Sequence, residues 1–192
     1  MSSTSPKYQL LLKTGKQLFW KHGISRVTVT EICRESKVSK MTFYRMFDSK
    51  VDLAKKALEA DTKEAMQKFR DIMNQDIPFK EKIKQSAILK FEGTKDIKQE
   101  LIMDIYKNPE LGLQPYLEEL SKKALAEIMG FYIQAQKDGE IRKDVNPAFI
   151  LYFQNKMSEM LVDPALDGVY ETPNDRIMEL FNFFFYGLFP RE

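Results

Sequence analysis

The sequence predicts an all-α fold of about nine helices, and three observations carry that prediction. Apolar residues recur at three- and four-residue spacing, and no segment alternates strand-like between hairpin turns. Caps and breakers arrive at helix-length intervals, among them Gly23, Asn108-Pro109, Asn146-Pro147 and Thr172-Pro173. Of the 192 residues, 43% are hydrophobic and 30% charged, which supports a real core and argues against global disorder.

The first helix runs from about Lys7 to His22, with Leu11, Leu12, Leu18 and Phe19 toward a core and Gly23 as its stop. A short second helix spans about Thr28 to Ser36. A third is entered through Ser39, a good N-cap, and reaches about Phe47. Asp48 or Ser49 caps a long fourth helix ending near Asn74. Pro78 suits the first turn of a fifth, to about Lys95, and a sixth spans about Ile97 to Lys107. The seventh starts around Pro115 and ends at Gly139. Asn146-Pro147 opens an eighth, to about Leu161; residues 163–171 read as a loop; Thr172-Pro173 opens a ninth, ending at Gly187.

Composition excludes several kinds of chemistry. A single Cys, Cys33, and a single His, His22, leave no multi-cysteine or paired-His metal site, and no metal or cofactor is expected. No Gly-rich phosphate loop appears. No pair of carboxylates has a spacing that singles it out for catalysis, so an enzyme is not expected. Apolar runs fall well short of a membrane span. Lys13 and Lys16 interrupt Leu10–Leu12, so the N-terminal stretch does not read as a leader, and the expected compartment is the cytoplasm.

Charge is uneven. The formal net charge of +2 divides into +7 over residues 1–55 and −5 over residues 56–192. A basic head on an acidic body suits a polyanion at one end. Within that head, two short helices joined by a tight turn, the second entered through a Ser, describe a helix-turn-helix. Val29, Ile32, Cys33, Val38, Phe43 and Phe47 would face inward. The opposite face of the third helix presents Lys40, Met41, Thr42, Tyr44 and Arg45, side chains that reach phosphates and base edges.

The stretch Thr28-Val-Thr-Glu-Ile-Cys-Arg-Glu-Ser-Lys-Val-Ser-Lys-Met-Thr-Phe-Tyr-Arg-Met-Phe-Asp-Ser-Lys50 resembles the N-terminal domain of tetracycline-repressor-type (TetR family) transcription regulators. Leu18-Phe19 and His22-Gly23-Ile24 fit the end of that family's first helix. The likeness covers about residues 7–56 in sequence and is architectural beyond them. It implies a DNA-binding domain over residues 1–52 and a helical ligand-binding and dimerisation domain over residues 53–192. It also implies roles. Thr28 bonds a phosphate; Ser39, Lys40, Met41 and Thr42 enter the major groove; Tyr44 places its hydroxyl on the backbone; Lys50 pairs with a phosphate. Arg45 either contacts the backbone or solvates the surface. The partner is double-stranded DNA carrying a palindromic operator.

Four positions depart from the family pattern. Lys37 stands at the turn where Gly is usual, which costs about 1 kcal/mol if the backbone is left-handed. Cys33 replaces a small Ala; core packing is the simpler reading, and a redox thiol needs exposure. Gly15 replaces an Ala of the first helix, an expected loss of about 0.5–1 kcal/mol. Met41 replaces a small residue, so the operator sequence is this protein's own.

The ninth helix is apolar almost all round, which calls for two partners: its own domain and a second molecule. With the eighth it would form an isologous four-helix interface through Tyr152, Met160, Phe181, Phe184, Phe185 and Leu188, making a homodimer. Phe91, Met103, Tyr106, Leu120, Met129, Tyr132, Phe149 and Phe153 either line a soft pocket for an apolar or amphipathic effector or are simply core. The expected function is a repressor released from DNA by such a ligand. A DNA-binding regulator without small-molecule input, set by abundance or a protein partner, is the alternative.

Overall fold

The computed structural model describes residues 5–94, 97–160, 163–166, 168–171 and 173–188. Among them are α1 (Pro6–His22), α2 (Val29–Glu35), α3 (Lys40–Tyr44), α4 (Lys50–Met73), α5 (Phe79–Thr94), α6 (Gln99–Tyr106), α7 (Leu113–Lys137), α8 (Pro147–Met160) and α9 (Pro173–Leu188). Two 3-10 turns, Pro109–Leu111 and Pro164–Leu166, complete the order, and no strand occurs among the described residues. The all-α expectation therefore holds. No helix of the described residues is long and apolar enough to cross a membrane.

Local chemistry sets the boundaries. Ser5, Thr28 and Ser39 cap α1, α2 and α3, each accepting a backbone N–H three residues on. At α4 the cap is Ser49 rather than Asp48: its hydroxyl accepts from Asp52 N at 3.0 Å, and the Asp52 carboxylate reaches back to Asp48 N at 3.2 Å. That reciprocal pair satisfies two orphan donors, in the manner of a capping box. α7 starts two residues before Pro115, because a first-turn proline lacks only an N–H that would have no helical partner.

The chain forms two compact units, Met1–Met66 with Glu92–Lys123, and Gln67–Phe91 with Ala124–Glu192. The first is built on Leu11, Phe19, Ile24, Val27, Ile32, Val38, Phe43, Phe47 and Leu53, joined by Leu101 and Ile105 of α6 and by Leu113. α6 thus contributes to the core of the helix-turn-helix head. Leu101 and Ile105, four residues apart, face inward, while Ile102, Met103 and Tyr106 are exposed.

Gly15 does not behave as expected. A Cβ there would lie 2.3 Å from Cδ2 of Leu53, a fully buried side chain of α4. The missing methyl is the space that Leu53 fills, so the glycine is a packing device rather than a simple loss of helix propensity.

In the second unit, Phe69 meets Phe131 and Phe79 meets Tyr132 edge-to-face, at 5.5 and 6.1 Å between ring centroids. Phe153 stacks on Phe184 at 5.7 Å. Arg70 of α4 donates from Nε and Nη2 to both carboxylate oxygens of Glu127 on α7, at 2.6 and 2.9 Å. The fork holds the Glu127 carboxyl below its ordinary range.

Candidate nucleic-acid interface

The turn between α2 and α3 sets the interface. Val38 N bonds Cys33 O at 3.0 Å and Lys37 N bonds Arg34 O at 3.2 Å, the bond pair of a Schellman motif. Lys37 occupies its left-handed position at φ 53°, the conformation in which the missing glycine matters. Val38 is buried behind it, and Cys33 is buried as core, with its thiol pushed up chiefly by desolvation. A raised thiol is poorly nucleophilic, which supports the packing reading.

α3 is anchored from beneath. Phe43 is fully buried and packs on Phe47, while Tyr8 of α1 stacks on Phe47 at 4.8 Å. The opposite face is open: Met41 is 84% exposed, Tyr44 57%, and Ser39, Lys40 and Arg45 are also exposed. Tyr44, exposed as it is, sets its ring edge-on to Phe43 at 5.3 Å, a contact that restrains its direction.

Two capping hydroxyls belong to the candidate contacts. Thr28 Oγ1 accepts from Glu31 N at 3.1 Å, and Ser39 Oγ accepts from Thr42 N at 3.2 Å and lies 3.0 Å from Thr42 Oγ1. A hydroxyl that accepts in a cap keeps its O–H to donate, and a phosphate oxygen is a suitable acceptor. Lys50 is arranged differently from the expected single phosphate contact. Its Nζ donates to Ser25 O at 2.9 Å and Val27 O at 2.8 Å. An ammonium has three protons, so pinning the α1–α2 turn uses two of them and leaves a third to donate elsewhere.

Expected ligand-pocket residues divide between the units. Met103 and Tyr106 are exposed on α6, and Leu120 packs against the head core. In the other unit, Tyr132 is fully buried and bonded to Gln154, with its hydroxyl pushed far up by desolvation. There Met129 and Phe153 are half-buried and Phe149 is exposed. Two cavities, about 380 and 250 Å³, are open surface depressions. The first is lined by His22, Ser25, Arg26, Gln99, Glu100, Met103 and Asp104, the second by residues of α5 and α9 and Pro78. Of the expected interface residues, Tyr152 and Met160 are exposed and Phe184 is buried within its own chain; among the described side chains of α9, Phe183 is an exposed ring, at 77%. The side chains of Phe91, Phe181, Phe185 and Leu188 lie outside the described residues.

Residues 11–57 match the model of the bacterial regulatory proteins of the tetR family. The chain is 32% identical over 105 residues to the HTH-type transcriptional regulator YerO of Bacillus subtilis, covering 53% of this chain and 36% of YerO, so it spans about a third of that relative's length. Its fold is similar to that of the fatty acid degradation regulator FadR of Bacillus halodurans, with a TM-score of 0.74, 18% identity, and 97% and 98% of the two chains covered. It is also similar to FadR of Bacillus subtilis, solved with stearoyl-CoA, with a TM-score of 0.71, 15% identity, and 91% and 97% covered. The Ser39-capped helix-turn-helix thus lies inside the segment that matches the tetR family model, and the chain as a whole shares the fold of the two FadR structures.

Proposed function

We propose that the chain is a homodimeric, sequence-specific DNA-binding repressor that leaves its operator when a small apolar or amphipathic ligand binds. The observation that carries this reading is the short α3, seated on buried Phe43 and Phe47 while Met41 and Tyr44 stand exposed. In this reading Ser39, Lys40, Met41 and Thr42 meet base edges, and Thr28, Tyr44, Arg45 and Lys50 meet the backbone. DNA contact belongs to residues 1–52; ligand response and dimerisation belong to residues 53–192. Dimerisation runs through α8 and α9, with Tyr152, Met160 and Phe183 on the outward side. An amphipathic effector suits the Met- and Phe-rich helices, and stearoyl-CoA on a FadR of the same fold supports that class.

One observation favours the second reading, a regulator without small-molecule input: in the second unit fully buried Tyr132 packs edge-to-face on Phe79, as Phe69 does on Phe131. Site selection from a random duplex library, followed by release with palmitoyl- or stearoyl-CoA, separates the two. An enriched inverted repeat released by acyl-CoA supports the first. Enrichment without release by any metabolite extract supports the second. No enrichment contradicts both.

A further inference from the structure

The segment between α1 and α2 is held from two sides by charged groups of later helices. From α6, Asp104 Oδ2 accepts from Ile24 N at 2.5 Å and Ser25 N at 2.8 Å, and Asp104 Oδ1 accepts from the Ser25 hydroxyl. Asn108 Nδ2 adds a bond to Ser25 Oγ at 3.2 Å. From α4, Lys50 holds the carbonyls of Ser25 and Val27. One residue further on is Thr28, the cap of α2. Gly23 permits the approach: its φ is +78°, and a Cβ there would lie 2.7 Å from Asp104 Oδ2 and 3.3 Å from Glu100 O. Backbone Lys98 N also bonds Trp20 O at 3.2 Å, and Leu101 and Ile105 enter the head's core.

Ile24 is fully buried, and its N–H is a donor that the Asp104 carboxylate pairs. A carboxylate accepting two backbone N–H groups and a hydroxyl is a strong directional tie. It sits on the stretch that leads straight into the N-terminus of α2. We infer that Asp104 is a positioning residue for DNA binding: through Ile24 and Ser25 it fixes the orientation of Thr28 and α2 on which the α3 surface is built. The inference rests on the DNA-binding reading above. It makes α6, which supplies no expected DNA contact, a determinant of operator affinity.

Asp104 is an anion beside a surface meant for a polyanion, and this gives the test a sign. If its charge alone matters, removing it tightens binding. If it positions the turn, removing it weakens binding. Asp104→Asn, Asp104→Ala and Ser25→Ala are each titrated against the duplex that the wild-type protein selects from a random library, at temperatures where circular dichroism shows each variant folded. Asp104→Ala is expected to weaken binding about 5- to 100-fold, with Asp104→Asn and Ser25→Ala in between. The dependence of log K on log salt should keep the wild-type slope, since no cation that neutralises a phosphate is removed. Amide exchange at Ile24 and Ser25 should rise in Asp104→Ala while the interior of α1 stays protected. Equal or tighter binding by Asp104→Asn and Ser25→Ala overturns the inference, as does unchanged exchange at Ile24 and Ser25 in either Asp104 variant. A wild-type protein that selects no sequence overturns the DNA-binding reading itself, while the exchange measurement still reports on the tie.

Discussion

Lys37 shows how much one side chain can be asked to tolerate. Its backbone sits at φ 53° inside a Schellman turn, where an L-residue with a Cβ is strained. Lys37→Gly should raise the free energy of unfolding by about 1 kcal/mol in urea melts, with a small loss of DNA affinity from the missing cation. Gly15 makes the opposite case. Gly15→Ala improves helix propensity yet pushes a methyl into Leu53, so a net destabilisation of about 1 kcal/mol is expected, less than the full cost of overpacking. The same melts check it, and Leu53→Ala in the Gly15→Ala background should cost less than Leu53→Ala alone. On the interface, Tyr44→Phe and Lys50→Ala should both weaken duplex binding across sequences. Lys50→Ala should also lower the salt slope by about one, if its third proton meets a phosphate. A weaker affinity with an unchanged slope would assign Lys50 wholly to the Ser25 and Val27 carbonyls.

At the scale of elements, the helices were readable because caps and breakers are local chemistry. Ser39, Gly23 and Asn146-Pro147 each act through the backbone beside them, so their meaning survives without a tertiary structure. What depended on contacts across the sequence was not readable. The space under Gly15 is defined by Leu53, 38 positions away, and the Asp104 tie joins residues 79 and 80 apart. The resemblance assigns α6 to the ligand-binding domain, and the spacing of its apolar residues cannot say that Leu101 and Ile105 complete the core of the head. α9 carries a similar lesson. Adjacent phenylalanines differ in fate, since Phe184 stacks on Phe153 of α8 while Phe183 faces outward. Phe184→Glu should therefore unfold the helical body, seen as lost ellipticity, whereas Phe183→Glu should leave a folded chain and shift its sedimentation toward the monomer. The α4–α7 fork predicts a pH effect. Because Arg70 holds the Glu127 carboxyl below its ordinary range, its stabilisation is present above the usual carboxylate pKa and is lost as pH falls through the lowered one. The melting-temperature difference between wild type and Arg70→Ala should shrink on acidification across that range.

For the whole molecule, the match of residues 11–57 to the tetR family model and the charge division single out the same part of the chain. The head carries +7 over residues 1–55 and the remainder −5, so a polyanion is drawn to one end. Two such heads joined through α8 and α9 would present their α3 helices to half-sites about 34–36 Å apart. In the proposed arrangement, paired heads read one duplex. It is tested most directly by sedimentation velocity of the protein on a labelled duplex containing the selected site. Two chains per duplex is the predicted stoichiometry, falling together with DNA affinity in Phe183→Glu. One chain per duplex at full wild-type affinity would contradict it.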